Sequence, residues 1–92
     1  MDKLTTLKNI GKEMERKLKS VGIHSKDDLI KIGSKEVFIR LKTQYPHICL
    51  VHLYALQGAI DNIEFNQLSE ETKRNLKEFF DEYKKRNNSF FI

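Results

Sequence analysis

Few side chains in this sequence are spaced for chemistry. The densest group is His47, Cys49 and His52, with Asp61 and Glu64 further on. Three residues apart on a helix, Cys49 and His52 share a face, which would suit a thiol beside a base or two ligands to a soft metal. A zinc site takes three or four convergent ligands, and the chain has neither paired cysteines nor a His-Glu-x-x-His spacing. A thiol nucleophile also needs an oriented base and donors for the oxyanion, and nothing in the sequence nominates them. Cys49 is therefore expected to be a buried structural thiol with His52 at a helix margin. Asp27 and Asp28 read as first-turn helix acids. No phosphate-cradling glycine loop or dinucleotide fingerprint is present. No catalytic residue, metal or cofactor is expected, and the enzyme classes recede.

A second kind of chemistry is contact with phosphate. Leu7-Lys8-Asn9-Ile10-Gly11-Lys12 forms a corner in which Asn9 and Gly11 tolerate positive φ. The amides after Ile10 open a helix and lack intrahelical acceptors, so they are suited to a phosphate oxygen. Lys8 and Lys12 flank the turn, and Arg16 and Lys19 extend the positive edge at helical spacing. Lys8, Asn9, Ile10, Gly11, Lys12, Arg16 and Lys19 are thus the candidate nucleic-acid contacts. The turn lacks the second glycine of a Gly-x-Gly corner, and a purely structural corner explains the same residues.

The elements that would position these residues are helical. A short lead-in carries Leu4 and Leu7. A helix over about 12–20 places Met14, Leu18 and Val21 on one face. Gly22 ends it as a C′ residue, with Ile23 folding back. Ser25 caps a helix to Ile32, with Asp28 in a near capping box. Together, residues 4–32 read as a helix-hairpin-helix-like unit. Ser34 is expected to cap the next helix, from Lys35 to about Gln44, which Tyr45-Pro46 ends. Residues 48–63 are apolar almost all round and should form the central helix. Inside it, Gly58 implies close approach by a neighbouring helix, since glycine costs about 1 kcal/mol there relative to alanine. Residues 62–68 are a linker whose Phe65 and Leu68 tuck onto the core. Ser69 caps the last helix, about 70–85, which bears Leu76, Phe79, Phe80 and Tyr83 at i, i+3, i+4, i+7. The fold class is all-α: a bundle of five or six short helices in one domain spanning residues 1–92.

Composition agrees. The 92 residues are 39% hydrophobic and 33% charged, with one proline and no tryptophan, a folded composition with a well-solvated surface. The single cysteine cannot form an internal disulfide, and no apolar run is long enough to span a membrane. A cytoplasmic chain without membrane contact is the expectation. The net charge of +4 is uneven: residues 1–44 hold 11 basic and 6 acidic side chains, while residues 45–68 hold two acids and no Lys or Arg. The positive field sits with the hairpin corner. At the other end, residues 87–92 form an apolar tail, closing on Phe90-Phe91-Ile92. With Phe79, Phe80 and Tyr83 they make up a candidate interface, docking in cis or on a second copy as a homodimer.

Leu7-Lys-Asn-Ile-Gly11, Val21-Gly-Ile-His-Ser25 through Asp28-Leu29, and Leu53-Tyr-Ala-Leu-Gln-Gly-Ala59, in this order and spacing, resemble the C-terminal domain of the TfoX/Sxy competence regulators. The resemblance runs from about Leu4 to Leu76. It implies an all-helical bundle and a bacterial role in controlling genes for DNA uptake, as a co-activator beside a cyclic-AMP-dependent activator. The family supplies no catalytic residues. Full-length regulators carry an additional N-terminal domain, and the expectation here is a free-standing C-terminal domain.

Two functions follow from different classes. One is an interaction domain whose partner is a second copy or a transcription-regulatory protein. The other is a DNA-binding module without sequence preference, touching phosphates through the corner.

Overall fold

A computed structural model describes residues 4–88. A 3-10 turn at Leu4–Thr6 leads into α1 (Lys12–Ser20), α2 (Lys26–Ile32), α3 (Ser34–Gln44) and α4 (Leu50–Asp61); a second 3-10 turn at Phe65–Gln67 precedes α5 (Glu70–Asn88). No strand occurs among the described residues, and the fold is all-α.

Each helix end has a local cause. At the end of α1 the Ile23 amide donates to the Leu18 carbonyl and the Gly22 amide to that of Lys19, at 2.9 and 3.1 Å. Gly22 has φ +90°, and Leu18 and Ile23 are both fully buried. This is a Schellman stop with its apolar clasp. Ser25 Oγ accepts from the Asp28 amide, and Asp28 answers through the His24 amide rather than that of Ser25. Ser69 Oγ caps α5 by accepting from the Thr72 amide at 3.1 Å.

Three local expectations are corrected. Ser34 does not cap α3: Gly33 holds the N-cap position, and the buried Ser34 hydroxyl donates to Gln57 Oε1 of α4 at 2.6 Å. Phe65 does not tuck in, being 39% exposed, whereas Leu68 is buried. Cys49 is exposed, not a core thiol.

The core forms where α3 and α4 face each other. Val37, Phe38 and Leu41 of α3 meet Leu53 and Leu56 of α4, all with no exposed surface. α4 also touches α2, α5 and the second 3-10 turn, so it is the hub that its all-round apolar pattern predicts. α1 packs on the first 3-10 turn and on α3, while α2 packs on α3 and α4. The N-terminal helices are thus held by the middle of the chain. Each large side chain so buried contributes about 1.5–3 kcal/mol against the unfolded chain.

Candidate functional site

Asn9 stands in the left-handed region, with φ 71°, and its side chain turns inward. Nδ2 donates to the Ile63 carbonyl at 3.0 Å and to the Ala55 carbonyl at 3.3 Å, while Oδ1 accepts from the Phe65 amide at 3.1 Å. The amide therefore closes the C-terminal end of α4 from outside the helix. A Cβ at Gly58 would collide with Asn9 Nδ2 and with the Ile63 carbonyl oxygen. Gly58 is thus closely approached, but by the Asn9 side chain and the Ile63 carbonyl and not by a neighbouring helix. Asn9 is thus engaged within the fold, and Ile10 is a core residue, 5% exposed. Gly11 has an ordinary extended backbone, φ −97° and ψ −176°, and a Cβ there would meet nothing.

The positive edge beside this corner is largely neutralised. Arg16 Nη2 meets Glu13 Oε2 at 2.9 Å, Lys8 meets Glu64 at 3.8 Å and Lys19 meets Glu15 at 3.9 Å. The Arg16 hydrogen bond and charge hold the Glu13 carboxyl below its usual range, and the guanidinium is stabilised in turn. Among the candidate cations only Lys12 has no ionic partner within the described residues. Glu13 and Glu15 lie in the first turn of α1, where they complement the amides and repel a phosphate.

The Cys49–His52 pair forms a helix cap. Cys49 holds the N-cap position of α4 and joins His52 in a reciprocal box. The Cys49 amide donates to His52 Nδ1 at 3.0 Å, with Cys49 Sγ at 3.5 Å from the same nitrogen. Burial pushes the His52 pKa down, and the nearby charges of Lys17, His47 and Lys42 push the same way. A proton on Nδ1 would end its role as acceptor. Lys17 Nζ contacts His47 Nε2 at 3.1 Å and sits 5.3 Å from the centre of the Tyr45 ring. Among the described residues no three His, Cys, Asp or Glu side chains converge on a metal position.

The aromatic candidates behave differently. Phe79, Phe80 and Tyr83 each stand edge-on to Phe38, with ring centroids 6.4, 5.8 and 5.8 Å away. They are partly buried and seat α5 on α3, while keeping exposed surface. Phe90, Phe91 and Ile92 lie outside the described residues. Beside Phe79 runs an open groove between α3 and α5, in two joined hollows of about 800 and 490 Å³ that share Lys35, Ile39, Asn75 and Phe79. Its floor is apolar, with Ile32, Ile39, Ile60 and Leu76, and its rim is charged, with Lys35, Glu78 and Glu82. Sequence spacing singled out Phe79 and Tyr83 but not the groove, which α3 completes across a gap in the chain.

These features define a small all-α module with an apolar groove and a charge-paired corner before α1. Among its described residues no helix is long and apolar enough to cross a membrane. The TfoX C-terminal domain model matches residues 1–80, and the chain belongs to that family. Two solved structures from Listeria monocytogenes are similar. One, an uncharacterized protein in a triclinic form, is 37% identical with a TM-score of 0.87, over 90% of this chain and 94% of that one. The other, a protein of unknown function in a tetragonal form, is 39% identical with a TM-score of 0.83, over 87% and 98%. No curated protein gives a match.

Proposed function

We propose that this chain is a non-enzymatic interaction domain that serves bacterial transcription or competence control through protein–protein contacts. The observation that carries the reading is the contrast between two surfaces. At the corner, Lys8, Arg16 and Lys19 each face a carboxylate, so a phosphate would have to compete with an existing partner at three of the four candidate cations. Between α3 and α5, an apolar floor with a charged rim has the make-up of a protein interface. Family membership supports the regulatory setting.

The test is a mobility shift at low salt on a promoter duplex, with and without a cyclic-AMP-dependent activator bound. The expected result is that the chain retards the activator–duplex complex and leaves bare duplex unmoved. Equal retardation of bare duplex, lost when Lys12 and Arg16 are changed to Glu, would overturn the reading in favour of direct phosphate contact.

A further inference from the structure

We infer that the α3–α5 groove is the contact face of an antiparallel two-fold dimer of this chain, each copy's segment after Asn88 covering the other's hollow between α2, α4 and α5. The inference rests on the reading of the chain as an interaction domain and names its first partner as itself.

Three observations converge. The first is charge. α5 begins with Glu70 and Glu71 and ends with Lys85 and Arg86. Two such helices laid antiparallel set each acidic end against the other's basic end, with their dipoles opposed. The second is the stripe that α5 gives to the groove: Asn75, Glu78, Phe79, Glu82, Tyr83 and Arg86, at helical three–four spacing. A two-fold axis between Glu78 and Phe79 puts Glu71 of one copy opposite Arg86 of the second. It also brings the second copy's Asn88 to the N-terminal end of α5. That end borders the larger hollow, where Ile30 is 49% exposed.

The third is reach. The residues that follow Asn88 are Ser89-Phe90-Phe91-Ile92, an apolar segment that extends about 14 Å at most. Thr72, on the wall of the larger hollow, lies about 24 Å back along α5 from Asn88 at about 1.5 Å per residue. The far part of its own groove, walled by Glu71 and Thr72, is thus out of reach even before the chain reverses direction, while the nearer hollow beside Tyr83 and Arg86 is within it. The second copy's segment arrives at the far part directly.

The experiment is solution mass by sedimentation equilibrium on the full chain from micromolar to millimolar concentration, with four variants. The expected result is a monomer–dimer equilibrium. Glu71→Arg and Arg86→Glu should each weaken it about tenfold, since each change acts twice in a two-fold contact. The double variant should return to within about threefold of the parent, and Phe90→Ser with Phe91→Ser should weaken association at least tenfold. Glu71 and Arg86 are exposed on the groove side of α5, and circular dichroism checks that each variant stays folded. A parent that is monomeric at millimolar concentration overturns the inference. So does a dimer indifferent to the charge reversals or not rescued by the double variant. A monomer whose melting temperature falls on replacing Phe90 and Phe91 would show the segment docked in cis, which also overturns it. None of these failures touches the interaction reading, which falls only if bare duplex is bound.

Discussion

Asn9 shows how one side chain can tie two ends of a fold together. Its three hydrogen bonds join the first corner to the C-terminal end of α4 and to the start of the second 3-10 turn. Asn9→Gly keeps the left-handed backbone and removes the bonds, so thermal or urea unfolding should show a loss of about 1–3 kcal/mol. Gly58→Ala in a helix interior ordinarily gains about 1 kcal/mol. Here the added methyl displaces Asn9, and the expected result is a loss of about 2–3 kcal/mol. A stabilised variant would contradict the interlock. Gly11 predicts the opposite sign. Its backbone is extended and its surroundings are open, so Gly11→Ser adds a capping oxygen and should stabilise by about 0.5–1 kcal/mol. His52 adds a pH dependence. Its pKa in the fold is below the ordinary 6.5, so below that value the unfolded chain binds more protons than the folded one. The His52 contribution is therefore full above pH 6.5 and is lost as pH falls through the lowered value. His52→Gln, which keeps an acceptor at the third helical position, should flatten the fall in melting temperature between pH 7.5 and about 5.

Among the elements, the ones with local signals were readable and the ones fixed across the chain were not. Gly22 with Ile23, Ser25 with Asp28 and Ser69 before Glu70 mark helix ends by their own chemistry: α1 ends, and α2 and α5 begin, where those residues place them. The all-round apolar run of α4 announced a hub. Ser34 misled because a serine before a helix looks like a cap whether or not Gln57 waits across the core. Phe65 misled because a lone phenylalanine in a linker does not say which way its turn faces. At the candidate site, the lysine spacing of α1 was visible. Its neutralisation was half visible, since Glu13 and Glu15 lie on the same helix while Glu64 comes from the far side of α4. The groove was not legible, because its two walls are separated in sequence by α4. The seating of α5 yields its own prediction. Phe38 is fully buried under three rings from α5, so Phe38→Ala should cost about 3–5 kcal/mol and increase amide exchange in α5 more than in α1.

As a whole the molecule measures 46 × 30 × 20 Å, elongated for its radius of gyration of 13.0 Å. α5 is its longest helix, and from Asp81 to Arg86 every side chain but that of Tyr83 is exposed. A long, charge-polarised helix lies beside an apolar groove, while Asn9 at the corner before α1 holds the end of α4. The central claim is that the working surface lies along α3 and α5 and not at the corner. The most direct measurement is sedimentation velocity of the chain mixed with a fluorescent promoter duplex at low salt, following protein and DNA in separate optical channels. The expected result is a protein boundary that speeds up with protein concentration while the duplex sediments at its own rate. A protein boundary that stays monomeric when sedimented alone, together with a duplex that travels with the chain, would contradict the account.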